Sequence, residues 1–373
     1  MTNAKPTRVL VLWADNHSKN LGVRVLAQGM GELARRSWGP DVEVSFQDFA
    51  PGDSSTGFGG RAILRDIGRR DGALKAKIRG YDAVLDSGAG DSFTDIYGTK
   101  RLTIMNYAHR VATRAGVPIA MGPQTIGPFE SRVGKTIAKT SLSRMSVVVA
   151  RDSSSAQFSN AFGYPVDALS TDVVFALSIP PRSNDLDVIV NASGLLWNEN
   201  RHVDSGKYRS QMIDLCEGLI ARGRHVTLLA HVLDNPSRDN DVPAVHALSS
   251  ILKGRADVIV PTDLDDARKI LASARLVIGS RMHACLNAMS VGTPAISWAY
   301  SRKFAPLMQD IGWSHGFELK TEPNVADKTL RLIDSEPESL MSSQLDDVQR
   351  RTAERLEAAA RALSSILHRE MTQ

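Results

Sequence analysis

Short apolar runs alternate with segments of helical periodicity through most of the chain. The runs RVLVLWA, VEVSFQDF, YDAVLDSGAG, VPIAMGPQ and SVVVARD each precede or follow a stretch whose apolar residues recur at three- and four-residue intervals. This alternation is typical of βαβ units, whose strands form parallel sheets covered by helices on both faces. We therefore predict an α/β fold with mostly parallel sheets.

A polar, proline-containing break divides this pattern in two. The stretch SIPPRSNDLD covers residues 178–187, and strand-like runs resume at VIVNASG, HVTLLAHV, DVIVPT and RLVIGS. Since 373 residues exceed one ordinary domain, we predict a Rossmann-like domain over residues 1–180 and a second over residues 186–340. Such domains bind ligands outside the carboxyl ends of their strands, so a site in a cleft between the two domains is expected.

The end of the chain has the periodicity of one more helix, and the overall composition is ordinary. Apolar residues recur at helical spacing from Pro337 to His368, so residues 341–373 are expected to form a helix packed on the body. The composition is 42% hydrophobic and 23% charged, as in ordinary globular proteins. The net charge of +4 includes no dense basic block, which favours a small anionic substrate over nucleic acid.

Two further features bear on the compartment. Cys216 and Cys285 stand in apolar helical patterns and predict buried reduced thiols rather than a disulfide or a zinc site. The N-terminal stretch MTNAKPTRVLVLWADN has an apolar run too short for a signal peptide. No stretch is long and apolar enough for a transmembrane helix. We therefore expect a cytoplasmic protein.

The first candidate binding loop is DSGAGDSFTDIYG, directly after the apolar run YDAVL. Gly88 and Gly90 allow backbone N–H groups to approach an anion, and a helix starting near Thr99 would add its positive end. A tight turn without a ligand explains two glycines equally well. Asp91 and Asp95 could orient sugar hydroxyls or act as a base, and the alternative is that they cap turns.

Two further strand ends in the first half carry polar side chains. MGPQTIGPFES is rich in Gly and Pro, and Gln124 is its polar side chain best placed to reach a ligand; the alternative is that Gln124 braces the loop. The very apolar strand in VVVARDSSSAQF ends at Arg151, whose guanidinium can clamp a phosphate or carboxylate. An ion pair between Arg151 and Asp152 is the structural alternative.

The second half repeats this arrangement with histidines. LLAHVLDNPSRDND places His231 after one strand, and GSRMHACLNAMSVG places Arg281 and His283 after another. HACLNAMSVG is an apolar helical pattern, so Arg281 and His283 are expected in its first turn, where the helix dipole favours an anion. In this interpretation Arg281 holds an anion and His283 transfers a proton.

These residues carry a resemblance to the polysaccharide pyruvyl transferase family. The stretch GSRMHACLNAMSVGTPAISWAYSRK resembles the family's C-terminal signature, and GPQTIGPF, ARDSSS, STDVVFAL, NASG and LLAHV appear in the family's order. The chain departs from the family's pattern at NLGV, where Val23 replaces a carboxylate, and at SGAG, which replaces a triple glycine.

The resemblance implies a two-domain GT-B-like fold and transfer of a pyruvyl group from phosphoenolpyruvate to two hydroxyls of a sugar. It matches Arg151 and Arg281 to the family's donor-binding arginines and His283 to the histidine of its Arg-x-His motif. On this reading His283 is the acid and base, and Asp91 or Asp95 accepts a sugar proton. The remaining substrate-binding candidates are Gly88, Gly90, Gln124, His231 and Lys303.

The expected partners are phosphoenolpyruvate and a sugar or lipid-linked glycan, with no nucleic acid. No metal or other cofactor is expected, because the sequence shows no cluster of metal ligands. Peripheral association with a membrane and the oligomeric state stay open. Two alternatives also stay open, namely a GT-B glycosyltransferase that uses a nucleotide-sugar and a non-catalytic glycan-binding protein of the same fold.

Overall fold

The computed structural model describes residues 6–50, 56–336 and 338–368. The chain is divided into two compact units. The first unit takes in residues up to His17, Leu26–Leu177 and residues from Thr352 on, and the second takes in Ser18–Val25 and Ser178–Arg351. The segment Ser18–Val25 therefore belongs with the second half of the chain, although it was predicted in the first domain. The predicted domain ends at residues 180 and 340 stay predictions.

The first unit contains a parallel six-stranded sheet with the strand order β2-β1-β3-β4-β5-β6. Its elements are β1 (Arg8–Leu12), α1 (Leu21–Trp38), β2 (Glu43–Gln47), α2 (Gly60–Ile67), α3 (Ala73–Ile78), β3 (Ala83–Asp86), α4 (Thr99–Arg114), β4 (Ile119–Gln124), α5 (Arg132–Leu142), β5 (Val147–Ala150), α6 (Ser153–Ala161), β6 (Ala168–Leu169) and a 3₁₀ helix (Val173–Ala176). Strands β3, β4 and β5 are buried along their whole length. Burial on both faces explains why these strands read as continuous apolar runs.

The second unit also contains a parallel six-stranded sheet, in the order β12-β11-β10-β7-β8-β9. Its elements are β7 (Leu186–Asn191), α7 (Gly194–Trp197), α8 (Ser205–Ala221), β8 (Val226–Leu229), α9 (Val242–Ile251), β9 (Asp257–Ile259), α10 (Leu264–Ala272), β10 (Ala274–Gly279), α11 (Met282–Ser290), β11 (Ala295–Ala299), α12 (Phe304–Ile311), β12 (Gly316–Glu318) and α13 (Val325–Ser335). The order reverses between β7 and β10, which pair from Ala274 with Leu186 to Gly279 with Asn191. Such a switch point is where an open parallel sheet binds ligands.

The last helix, α14, runs from Glu338 to His368. Its later turns bury Ala359, Ala360, Leu363 and Ile366 in the core that covers one face of the first sheet. Helix α14 covers the predicted helical stretch from Glu338 to His368, and Pro337 and residues 369–373 lie outside the described residues. The fold prediction of two Rossmann-like, mostly parallel α/β units is confirmed.

Candidate active site

Asp241 connects three strand ends of the second unit. It is fully buried, and its Oδ1 accepts hydrogen bonds from Gly194 N at 2.7 Å and from Arg281 Nη2 at 2.6 Å. Its Oδ2 accepts from the backbone N–H groups of His231, at 3.1 Å, and Val232, at 2.9 Å. Asp241 thus ties the residues that follow β7, β8 and β10 into one cluster. Sequence reasoning missed this carboxylate because only strand pairing brings it to Arg281.

Arg281 is placed as the sequence predicted, immediately before α11, but its charge is already neutralised. Besides Asp241, Asp239 accepts a hydrogen bond from Arg281 Nη1 at 2.6 Å, and the Asp239 carbonyl accepts one from Nη2 at 2.8 Å. Burial would lower the pKa of Arg281, but the two carboxylates outweigh burial and raise it. Arg281 is therefore a permanent cation held by two anions, and its predicted role in donor binding stays a prediction.

The two histidines of this unit are neighbours with different environments. His231 is buried, and burial, helped by His283, lowers its pKa to about 3, so its ring is neutral at physiological pH. Asn287 lies between them: its Nδ2 is 3.1 Å from His231 Nε2 and donates to the His283 carbonyl at 2.8 Å. His283 itself is half-buried on the first turn of α11. Of the two, His283 is the less buried, and its predicted role in proton transfer stays a prediction.

The segment NLGV, which departs from the family's pattern and was expected as a loop, begins helix α1 and lies beside His283. The backbone N–H of Leu21 donates to the His231 carbonyl at 3.2 Å, and Asn20 forms an antiparallel bridge with Val232. A Cβ on Gly22 would lie 2.7 Å from His283 Nδ1. Any larger residue at position 22 would therefore displace the His283 ring, and the glycine is required by this close approach.

Cations gather around His202 at the carboxyl edge of the second sheet. The cations near its ring are Arg201, Lys303 and Lys320, of which the sequence analysis had selected only Lys303. Burial lowers the pKa of His202, and these three positive charges lower it further, whereas Asp239 opposes them. His202 and Lys320 line a cavity of about 730 Å³. Lys207 lines the same cavity, and so do the acidic residues Asp204 and Glu322.

In the first unit, Gly88 and Gln124 are in direct contact. Gly88 and Gly90 have φ values of +58° and +79°, which favour glycine. A Cβ on Gly88 would overlap Gln124 Oε1. The Gln124 side chain is fully buried, and among residues 6–50, 56–336 and 338–368 neither of its amide atoms finds a hydrogen-bond partner. A buried amide without partners is costly, so a ligand that hydrogen-bonds to Gln124 would satisfy it.

The strand end before Gly88 is held by a buried network. Asp86 accepts hydrogen bonds from Trp13 Nε1 at 2.8 Å and from Gly88 N at 2.6 Å, and it lies 2.5 Å from His109 Nε2. All of these side chains are buried. The network fixes the turn that brings Gly88 against Gln124. His109 lies in the middle of α4 and had no local signal in the sequence that connects it to Asp86.

Arg151, like Arg281, is held by buried carboxylates. Its Nη1 is 3.2 Å from Asp172 Oδ2, its Nε is 3.8 Å from Asp152, and Nη2 donates to Thr125 Oγ1. The guanidinium is only 1% exposed. The contact with Asp152 is the ion pair that the sequence analysis considered as the alternative, and Asp172 adds a second carboxylate. A donor-binding role for Arg151 stays a prediction.

Asp95 makes capping contacts at the start of α5. Its oxygens accept hydrogen bonds from Glu130 N and Ser131 N, each at 2.8 Å, and from Ser131 Oγ at 2.6 Å. Burial raises the pKa of Asp95, but these hydrogen bonds outweigh burial and lower it. The contacts are those of the capping alternative, and a role as base stays a prediction. Asp91 is half-buried in the same loop, and helix α4 begins at Thr99 as predicted.

Other expectations concern metals, thiols and membranes. Both cysteines are buried free thiols, and burial raises the pKa of each to about 12. Over the part of the chain that the structure describes, no group of three or more His, Cys, Asp or Glu residues could hold a metal ion. Among those same residues no helix is long and apolar enough to cross a bilayer.

Solved structures with the same fold define its class as GT-B-like. The structure of UDP-GlcNAc 2-epimerase from Neisseria meningitidis bound to UDP-GlcNAc matches this one with a TM-score of 0.55 and 11% sequence identity. The match covers 98% of this chain and 100% of that one. Anabaena Alr3699/HepE in complex with UDP and glucose gives a TM-score of 0.51 at 13% identity, over 98% of this chain and 100% of that one. At these identities the likeness concerns the fold alone.

Sequence comparison identifies the family. Residues 20–302 match the family model for polysaccharide pyruvyl transferase. The chain belongs to the polysaccharide pyruvyl transferase family. Amylovoran biosynthesis protein AmsJ of Erwinia amylovora is 24% identical over 258 residues, which make up 63% of this chain and 61% of that protein. The matched part thus spans less than two-thirds of the curated relative's length.

Proposed function

We propose that this protein transfers the pyruvyl group of phosphoenolpyruvate to two hydroxyls of one sugar in a polysaccharide or its lipid-linked precursor. The products are a cyclic pyruvate ketal and phosphate. The family match supports a pyruvyl transferase, and the name of the relative AmsJ links that family to the biosynthesis of a polysaccharide. The observation that carries the proposal is the half-buried His283 on the first turn of α11, in the helix that Arg281 caps.

The reaction needs one acid, one acceptor of protons and a site for anions. A proton added to the =CH₂ carbon makes the neighbouring carbon electrophilic, and one sugar hydroxyl adds there. The second hydroxyl then displaces phosphate. The two hydroxyls lose two protons in total: one restores the acid that protonated the carbon, and the other leaves with the phosphate.

The residues of the second unit fit these roles. His283 gives the proton to carbon and takes one back from a hydroxyl. His231 stays neutral, and through Asn287 it helps to hold the first turn of α11. The cations Arg201, Lys303 and Lys320, whose charges lower the pKa of His202, are the groups proposed to attract the donor's phosphate and carboxylate.

The path of the proton tests the proposal directly. The reaction is run in D₂O with phosphoenolpyruvate and a panel of sugars and lipid-linked glycans, and released phosphate and product mass are measured. If a solvent-exchanging group protonates the donor, the ketal methyl carries one deuterium and gives a CH₂D signal. A ketal without solvent deuterium would exclude the protonation step. A parallel reaction with UDP-N-acetylglucosamine as donor tests the glycosyltransferase alternative, since glycosyl transfer attaches no pyruvyl group.

Two histidine variants show whether His283 acts in this step. His283→Ala is expected to lower kcat about 10²- to 10⁴-fold, which is the usual effect of losing a general acid–base group. His246→Ala removes an exposed histidine on α9 of the same unit and is the matched control. Equal activity of the two variants would remove His283 from the chemistry while leaving the overall reaction to be judged from its product.

A further inference from the structure

The face of the first unit formed by α2, α3 and α4 concentrates positive charge. A cavity of about 150 Å³ on this face is lined by Lys75, Arg79, Arg110 and Arg114. The whole chain has a net charge of only +4, so this is a local excess. The cavity has room for a phosphate group together with several water molecules, each of which needs about 15 Å³.

Two of these cations lie on the same face of α4. Arg110 and Arg114 are four residues apart on α4, a spacing that places like charges side by side on a helix and destabilises it. Burial lowers the pKa of Arg144, and Arg110 and Arg114 lower it further, so Arg144 belongs to the same positive field. In the described chain neither Arg110 nor Arg114 has a carboxylate within 4 Å. An anion bound here would relieve this repulsion.

The carboxylates nearby are already engaged. Asp66 is buried, and it accepts hydrogen bonds from Leu74 N at 3.1 Å and from Tyr107 Oη at 2.7 Å. Asp71 pairs with Arg79 at 3.0 Å. Lys75 donates to the carbonyl of Asp66 at 2.9 Å. Arg110 and Arg114 are therefore the cations of this face that are most open to an external anion.

Helix α2 adds exposed apolar side chains to the same face. Leu64 is 75% exposed and Ile67, which lines the cavity, is 57% exposed. Arg61 and Arg65 are exposed on the same helix, whereas Ile63 points into the core. An exposed helix that combines large aliphatic residues with arginines is typical of segments that lie in a membrane interface. A free phosphate ion would make no use of the aliphatic residues.

We propose that the α2–α4 face docks on an anionic lipid bilayer, with a headgroup phosphate in the Arg110–Arg114 cavity and Leu64 and Ile67 in the interface. Positive charge meets the anionic headgroups, and the aliphatic side chains leave water on contact. The proposal does not rest on the pyruvyl transfer reaction. It gives the protein a way to reach glycans that are attached to a bilayer.

The test is sedimentation of the full chain with vesicles of phosphatidylcholine, with and without phosphatidylglycerol. We expect binding only to the anionic vesicles and its loss at about 1 M salt, where charges are screened within about 3 Å. Arg110→Gln with Arg114→Gln should weaken binding about 25-fold, since each cation near such a surface contributes about fivefold. Leu64→Ser with Ile67→Ser should weaken it as well.

Matched controls come from α5 of the same unit. Arg132→Gln with Lys135→Gln removes the same charge from exposed positions, and Val133→Ser removes an exposed aliphatic residue. Both controls should keep most of the binding, and thermal unfolding should show that all variants are folded. Absence of vesicle binding by the unmodified protein, or equal losses in the controls, would overturn the proposal. Stabilisation by inorganic phosphate without vesicle binding would also overturn it and would assign the cavity to a soluble phosphate.

Discussion

If Arg281 binds the donor, as the sequence predicts, the anion has to reach the outer edge of the guanidinium, which Asp239 occupies. Its carboxylate is 2.6 Å from Arg281 Nη1, and its side chain is 34% exposed. The other partner, Asp241, is fully buried and holds the inner edge. We therefore predict that Asp239→Asn increases the affinity for phosphoenolpyruvate, because the substituted side chain no longer competes for Arg281 or repels the donor.

The expected size follows from the exposure of this contact. A partly exposed ion pair contributes up to about 1 kcal/mol, and a hydrogen bond to a charged group contributes about 1.5–3 kcal/mol when shielded from water. Since Asp239 is about one-third exposed, removing its charge should favour the donor by about 1–2 kcal/mol. That corresponds to a dissociation constant about 5- to 30-fold lower.

Isothermal titration with phosphoenolpyruvate measures this affinity directly, and KM from phosphate release gives a second reading. Asp327→Asn is the matched control, because it removes an exposed aspartate that pairs with Arg331 at 2.9 Å in the same unit. The control should bind the donor as the unmodified protein does. A dissociation constant that is unchanged or higher in Asp239→Asn would refute the idea that Asp239 competes with the donor for Arg281.

Three further predictions concern stability. Asp241→Asn should lower the free energy of unfolding by about 3–5 kcal/mol, because it breaks a buried ion pair, and denaturant unfolding measures this loss. A loss under about 1 kcal/mol would contradict the conclusion that Asp241 holds the three strand ends together. The folded pKa of His231 is about 3, below its unfolded value, so between these two values the unfolded chain binds one more proton than the folded protein. The free energy of unfolding should therefore fall as pH decreases below about 6.5, by up to about 1.4 kcal/mol per pH unit. His231→Asn should flatten that slope in thermal unfolding. Asp95→Asn should lower the free energy of unfolding by about 1 kcal/mol at neutral pH and leave kcat unchanged. Because the folded pKa of Asp95 is lowered, this difference in stability between the variant and the unmodified protein should vanish as pH falls through that pKa. A large fall in kcat would restore Asp95 as a base.

The local sequence determined the elements of the fold. Apolar runs bounded by glycine and polar residues predicted the strands, and the spacing of apolar residues predicted α4, α11 and α14. The positions of Arg281 and His283 at the head of α11 followed from the same pattern. Local patterns suffice here because burial on both faces and helical periodicity are properties of short segments.

The partners of the charged side chains in the site depend on strand pairing in three dimensions. Arg281 is neutralised by Asp239 and Asp241 because β10, β7 and β8 lie side by side in the sheet, while other elements separate them along the chain. Gly22 lies against His283 because the start of α1 pairs with the chain after β8 through Asn20 and Val232. Periodicity within a segment contains no information on strand order. The sequence therefore showed which residues follow the carboxyl ends of the strands, and the order of the strands in the sheet determines which of those residues are in contact.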